Sequence, residues 1–92
     1  MLKDKHTTRE FGQAISEARK HNGLTQTQVA SALGHVWGMT QGRISRLERG
    51  AWIPNAGQFE NLLRAMRCTE DQARQLRYIA STVVERPDHA AE

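Results

Sequence analysis

The stretch Thr40-Gln41-Gly42-Arg43-Ile44-Ser45-Arg46-Leu47-Glu48-Arg49-Gly50 predicts one short helix whose two ends are both marked. Thr40 suits the N-cap, because its hydroxyl can accept a hydrogen bond from an unpaired N–H of the first turn. Gly50 can adopt the left-handed conformation that ends a helix. Only Ile44 and Leu47 are apolar, and their spacing of three places them on one narrow inward stripe. Such a helix is held by two anchors and presents its other side chains outward.

The outward side chains of this helix are mostly Gln and Arg, which indicates a nucleic-acid partner. In the major groove of DNA, Gln pairs bidentately with adenine and Arg with guanine. Residues 1–50 carry eight Lys and Arg against four Asp and Glu, a net charge of +4, whereas residues 51–92 have a net charge of −1. A basic half suits a polyanion, and a near-neutral half suits a different role. We therefore hypothesise that this helix binds double-stranded DNA.

Length and composition indicate one small helical domain. The chain has 92 residues, 38% of them hydrophobic and 5% aromatic, which is enough for a single core. Cys68 is the only cysteine, so an internal disulfide is excluded and a reducing compartment is favoured. No apolar run approaches the length of a membrane span, and no signal-peptide pattern opens the chain. We expect a cytoplasmic, nucleoid-associated protein that does not bind a membrane.

Capping boxes and apolar stripes predict four further helices. Thr7 with Glu10 forms a capping box, and apolar residues follow from Phe11 at helical spacing. The same two signals recur three more times along the chain. The five predicted helices span about residues 8–21, 26–33, 41–49, 56–67 and 70–85. No strand alternation is present, so the predicted fold is an all-α, compact five-helix bundle over residues 8–85. Residues 1–7 and 86–92 are expected to be flexible.

Two motifs resemble the lambdoid-repressor-like helix-turn-helix family, often called the Xre family. The first is Gly23-Leu24-Thr25-Gln26 followed by Val29-Ala30, and the second is Thr40-Gln41 with Ile44–Gly50 and Pro54. The resemblance covers about residues 11–67. It implies a lambda-repressor-like bundle that contains a helix-turn-helix. The predicted helix 26–33 would position the domain on DNA, and the helix 41–49 would lie in the major groove.

The resemblance implies roles for matched positions. The positions that read bases are Gln41, Gly42 and Arg46. The positions that face the DNA backbone are Thr25, Gln26, Thr40 and Arg43. Arg19 and Glu48 match a pair that forms a buried structural salt bridge. We add Arg49 as a backbone contact, with the alternative that a cation late in a helix only complements the helix dipole.

Three features depart from the family pattern. The turn is about four residues too long, since Gly34 and Gly38 both align with the single family glycine, and in this it resembles the POU-specific domain. Gly42 removes a side chain from a base-reading position, and a glycine there needs a reason, such as room for an approaching backbone. The loop Ala51–Pro54 carries no charge, although the family often has Lys or Arg there. We expect weaker phosphate anchoring by this loop, so that other basic residues must compensate.

No pattern in the chain predicts an enzyme, a cofactor or a metal site. The four His residues are too widely spaced for a zinc site, and Cys68 is interpreted as a small buried residue. Glu70 and Asp71 complement the dipole of the last helix. Trp37 is assigned to packing over the core, with a contact to DNA or a partner as the alternative. Trp52 is assigned to the core or a dimer surface.

The sequence therefore predicts a sequence-specific DNA-binding protein, a small prokaryotic or phage transcriptional regulator or repressor. A homodimer formed through the fourth and fifth helices would bind a palindromic operator, with half-sites about 34 Å apart. The alternative is an antitoxin-like or other interaction module that sequesters a partner protein. In that case Arg74, Arg77, Tyr78 and residues 85–92 would form the partner surface.

Overall fold

A computed structural model of the chain describes residues 5–34 and 38–85. Within them the predicted all-α bundle is confirmed, and its five helices are α1 (Thr8–His21), α2 (Gln26–Ala32), α3 (Gln41–Glu48), α4 (Ala56–Ala65) and α5 (Glu70–Ser81). Two short strands, β1 (His6–Thr7) and β2 (Val83–Glu85), pair in parallel. Residues 1–4, Trp37 and residues 86–92 lie outside the described part, and so do the predictions made for them.

The helices begin where short polar side chains can satisfy their first N–H groups. Thr7 Oγ1 accepts from the Glu10 amide at 3.0 Å, while Glu10 Oε1 accepts from the Thr7 amide at 2.8 Å. The same reciprocal arrangement begins α2, α4 and α5. Helix α3 begins with a single bond, from the Arg43 amide to Thr40 Oγ1 at 3.2 Å. Each cap satisfies a donor that helix geometry leaves unpaired.

The core holds α3 by its apolar stripe. Ile44 and Leu47 are fully buried, and so is Met39, which lies just before the N-cap of α3. Full burial of a side chain of this size is worth about 1.5–3 kcal/mol. The other buried apolar side chains come from all the remaining helices and their ends: Phe11, Ile15, Val29, Ala30, Leu33, Phe59, Leu62, Leu63, Met66, Ala73, Leu76 and Ile79. The packing thus determines which face of α3 points away from the protein.

Helix α1 crosses α3 in direct backbone contact at Gly12. A Cβ atom at this position would lie 2.5 Å from the Leu47 carbonyl oxygen and 2.6 Å from that of Glu48. Both neighbours are backbone atoms, so no side-chain rotation can relieve the overlap. Gly12 therefore sets the distance between the two helices. This role could not be predicted from the sequence, because nothing in the local pattern distinguishes Gly12 from a tolerated helical glycine.

The C-terminal part differs from the prediction, because the helix predicted over residues 70–85 ends at Ser81. The Thr82 hydroxyl donates to the Ile79 carbonyl at 3.0 Å, and the Thr82 carbonyl accepts from the His6 amide at 3.0 Å. Val83 then packs on the core from β2 rather than from a helix. Val83 and Val84 are β-branched, and such residues favour a strand when a partner such as β1 is available. Residues 6 and 7, predicted to be flexible, are the strand that supplies it.

Helices α2, α3 and α4 end one or two residues before the predicted positions. At the end of α4 the chain turns through Arg67, which has a positive φ of 56° without being glycine. Asn22 Nδ2 donates to the Met66 carbonyl at 2.8 Å and to Gln72 Oε1 at 3.1 Å. These bonds tie the end of α1 to the α4–α5 turn, so the turn is held by contacts distant in sequence.

Candidate nucleic-acid interface

The face of α3 opposite Ile44 and Leu47 carries the three positions that the resemblance assigned to base reading. Gln41, Gly42 and Arg46 are all exposed. Residues three and four apart lie on one side of a helix, so Ser45 and Arg49 belong to the same surface. Arg49 Nη1 donates to Ser45 Oγ at 2.6 Å. We call the surface formed by Gln41, Gly42, Ser45, Arg46 and Arg49 the α3 face.

The start of α2 lies against the α3 face. Gln41 Nε2 donates to Gln26 Oε1 at 2.6 Å, and Gln26 Nε2 donates to Glu48 Oε1 at 2.9 Å. Thr25 is exposed one residue earlier and caps α2 through Gln28. The structure therefore brings Gln26, the first residue of α2, next to Gln41, although 15 residues separate the two glutamines.

Glu48 also forms a buried ion pair with Arg19 of α1. Arg19 Nε lies 2.7 Å from Glu48 Oε2, and Arg19 Nη2 donates to Glu48 Oε1 at 2.9 Å. The two side chains are 9% and 6% exposed. Arg19 Nη1 completes the site by donating to the Leu24 carbonyl at 2.8 Å. This is the pair that the resemblance implied, and it joins α1, α3 and the loop before α2.

This network determines which atoms Gln41 presents to the outside. A carboxylate only accepts hydrogen bonds, so Gln26 must turn its amide nitrogen toward Glu48 and its oxygen toward Gln41. Gln41 in turn must give one N–H to Gln26. Its Oε1 and its second N–H have no partner within residues 5–34 and 38–85 and are available on the α3 face. An adjacent acceptor and donor are what the major-groove edge of adenine requires.

Gly42 and Arg46 leave the middle of the α3 face open. Apart from its chain neighbours and the backbone of its own helix, the nearest described atom to a Cβ at Gly42 would be Thr40 Oγ1, at 4.0 Å. The cost of about 1 kcal/mol for glycine within a helix is therefore not explained by packing inside the protein. Among the described residues Arg46 has no hydrogen-bond or ion-pair partner. A side chain with five donors beside an open glycine can receive a partner that comes close to the α3 backbone.

Arg43 lies beside the α3 face and is held by Trp52. Its guanidinium carbon is 4.4 Å from the centroid of the Trp52 ring, and Trp52 Nε1 donates to the Arg43 carbonyl at 3.0 Å. Trp52 is partly buried and packs against the core. The assignment of Trp52 to the core is thus only part of its role. Its contact with Arg43 joins a helix to a loop nine residues later, and no periodicity could have revealed it.

Charged side chains of α4 and α5 pair with one another. Arg77 lies 2.8 Å from Glu60, and Arg74 lies 3.1 Å from Asp71. The hydrogen bonds from Arg77 hold the pKa of Glu60 below its ordinary value.

Burial raises the pKa of the Cys68 thiol. Over residues 5–34 and 38–85 there is no cluster of three or more His, Cys, Asp or Glu residues that could hold a metal ion, and no helix long and apolar enough to cross a bilayer.

Over residues 10–76, well over half of its length, the chain matches the family model for the helix-turn-helix domain. The chain belongs to the helix-turn-helix domain family. The matched span begins in α1, ends in α5 and has α2 and α3 at its centre. DNA is therefore the partner class of this helix-turn-helix protein. No curated protein and no solved structure matches the chain.

Proposed function

We propose that this helix-turn-helix protein is a small prokaryotic or phage transcriptional regulator of the Xre type that recognises a specific sequence in duplex DNA. The observation that supports this most directly is the α3 face. Among the described residues, Gln41 has no partner for its Oε1 or its second N–H, Gly42 leaves room, and Arg46 is unpaired. In this proposal Gln41 reads adenine and Arg46 reads guanine, and each good contact discriminates by about 1–3 kcal/mol.

The residues around the α3 face would set its register on the sugar-phosphate backbone. Contacts to phosphates position a protein but carry no sequence information. Thr25, Gln26, Thr40 and Arg43, at the starts of α2 and α3, are proposed for this role together with Arg49 of the α3 face. The connection between α2 and α3 runs over residues 33–40. It is longer than the Xre pattern, and we propose that it is an extended turn like that of the POU-specific domain.

A single module of this size buries roughly 600–1,000 Å² on DNA, so high affinity needs a second copy. We propose a homodimer that binds a palindromic operator with half-sites about 34 Å apart. An apolar groove between α4 and α5 supports these helices as the dimer surface, and it is lined in part by Ile53, Phe59, Ala80 and Val83. The protein would act where the chromosome is, in the cytoplasm.

The test is in-vitro selection from random duplexes at a stated salt concentration, with the wild type, Arg46→Ala and Arg64→Ala in parallel. Arg64 is a matched control, because it is an exposed arginine beside the C-terminal end of α2, in a groove with Ala32 and Leu33. We expect a palindromic motif for the wild type and for Arg64→Ala. Arg46→Ala should lose the preference at one position in each half-site. No enrichment by any of the three proteins would refute the proposal.

The alternative, sequestration of a partner protein, has weaker support. Two of its proposed contact residues, Arg74 and Arg77, already pair with Asp71 and Glu60. A stoichiometric complex with another protein, formed without any preferred DNA sequence in the selection, would favour this alternative.

A further inference from the structure

The loop after α3 contains no charged residue, yet it holds a charged side chain of α3. Trp52 contacts Arg43 twice, by its ring face at 4.4 Å from the guanidinium carbon and by its Nε1–H to the Arg43 carbonyl at 3.0 Å. Arg43 is consequently half-buried, whereas Arg46 on the same helix is exposed. The indole itself rests on the core. Trp52 therefore links the Arg43 side chain to the hydrophobic core.

The direction of the Arg43 side chain is also defined. Its Nη1 lies 3.8 Å from the position that a Cβ would occupy on Gly38, two residues before the N-cap of α3. The guanidinium thus lies toward the N-terminal end of the helix, beside the α3 face. A ring stacked on one face of a guanidinium leaves the in-plane N–H donors free. Those donors have the geometry that binds phosphate oxygens bidentately.

We propose that Trp52 is a positioning residue that holds Arg43 as a pre-ordered phosphate clamp at the start of α3. The inference rests on the proposed function, because it assumes that the α3 face meets DNA. A long side chain that is ordered before binding loses less conformational entropy when it binds. The loop Ala51–Pro54 then compensates for its lack of charge by ordering a charge that belongs to α3.

The first experiment concerns the free protein. The Arg43 side-chain Nε–Hε resonance should be shifted upfield by the Trp52 ring in the wild type. The shift should persist in Trp52→Phe and disappear in Trp52→Leu, while the Arg46 resonance stays unchanged in all three proteins. An Arg43 resonance at its random-coil position in the wild type would show that the stacking is absent and would overturn the inference.

The second experiment is a double-mutant cycle on a labelled mixed-sequence duplex, titrated from 50 to 200 mM KCl. Phosphate binding does not depend on sequence, and each lost phosphate contact lowers the magnitude of the negative slope of log K against log salt by about 0.9. Arg43→Ala should show that decrease. Trp52→Leu should weaken binding several-fold in the wild-type background and have no effect in the Arg43→Ala background. Arg64→Ala controls for the loss of one positive charge elsewhere.

The outcomes separate this inference from the proposed function. A Trp52→Leu effect of equal size in both backgrounds, or no effect in either, overturns the positioning role even if selection yields an operator. A coupled effect without any selected sequence supports the clamp and overturns sequence-specific regulation. Thermal unfolding of each variant accompanies the titrations. Should Trp52→Leu unfold, Trp52→Met replaces it in the same cycle, because methionine fills the site with an apolar, adaptable side chain but has no aromatic face for Arg43.

Discussion

At the scale of single residues, Glu48 determines much of what the α3 face can do. Its carboxylate accepts from Arg19 and from Gln26, and Gln26 accepts from Gln41. The nearly buried Glu48 thus orients the exposed Gln41 through two successive hydrogen bonds. The identity of Gln41 as a candidate base reader could be predicted from the Thr40-Gln41 motif. The direction of its amide could not, because that depends on side chains from two other segments.

Removal of Glu48 should be strongly destabilising, because it leaves the buried guanidinium of Arg19 unpaired. We expect Glu48→Ala to lower the free energy of unfolding by about 3–5 kcal/mol, measured by urea denaturation. The double variant Arg19→Met/Glu48→Leu should lose less, since it removes both charges together. Arg77→Ala is the control, because it breaks the exposed pair with Glu60 and should change stability little. Equal losses for Glu48→Ala and Arg77→Ala would contradict the burial argument.

Cys68 should react slowly with thiol reagents. Burial raises the pKa of its thiol, and only the thiolate is nucleophilic. At pH 8 the folded protein should therefore be alkylated by iodoacetamide more slowly than the same chain in urea, and the midpoint of its pH–rate curve should lie at higher pH. Identical rates in the two conditions would show that the thiol is not shielded.

At the scale of helices, three glycines test what helix packing adds to sequence. Gly12→Ala should lower the free energy of unfolding, since overpacking against the α3 backbone costs about 1–3 kcal/mol and exceeds the propensity gain of up to about 1 kcal/mol. Gly42→Ala should gain stability but weaken DNA binding, because its Cβ would occupy open space on the α3 face. Gly57→Ala is the control, with only an ordinary contact at 3.5 Å. Urea denaturation measures the free energy of unfolding of each variant, and duplex titration measures its affinity for DNA.

These glycines also show where sequence reasoning stops. Gly42 could be recognised as unusual, because it interrupts a short helix whose outward face was already suspected of binding DNA. Gly12 could not, because its neighbours are carbonyl groups 35 or more residues away in the chain. The helix starts were predictable from local caps, whereas the end of α5 was not. Val83 fits the helical spacing, and its strand partner is only two residues long.

The β1–β2 pair should be a cooperative unit of its own. The His6 amide donates to the Thr82 carbonyl at 3.0 Å, so we expect it to exchange slowly with solvent. Val83→Asp should release the pair and accelerate this exchange, since it places a charge where Val83 packs on the core. Gln75→Asp, which adds the same charge at an exposed site of α5, should leave the exchange rate unchanged. Measurement is by hydrogen exchange observed with NMR.

At the scale of the whole molecule, the described arginines differ in whether an acidic residue neutralises them. Arg19 pairs with Glu48, and Arg74 and Arg77 of α5 pair with Asp71 and Glu60, whereas Arg46 on the α3 face has no acidic partner among the described residues. The total charge of +3 is modest, so the arrangement of the charges matters more than their sum. The uneven charge of the two halves was evident from sequence. Which cations are neutralised by neighbours became clear only from the fold.

The proposed dimer makes a further prediction at this scale. Ile53→Asp places a charge in the groove between α4 and α5 and should shift the protein from dimer to monomer in sedimentation velocity. The helical signal in circular dichroism should persist, and affinity for a palindromic duplex should fall toward that for a half-site. A wild type that is monomeric both free and on the duplex would contradict the dimer.

The parallel pairing of β1 with β2 also has a mechanical consequence. The chain runs into β1 at His6 and leaves β2 at Glu85, so a pull on its two ends slides the strands along each other. Sliding loads their hydrogen bonds together, whereas peeling would break them one by one. The five helices lie between the strands in the chain and bear no tension until the pair ruptures. A force applied to both ends must therefore break the β1–β2 pair before it can act on the α3 face.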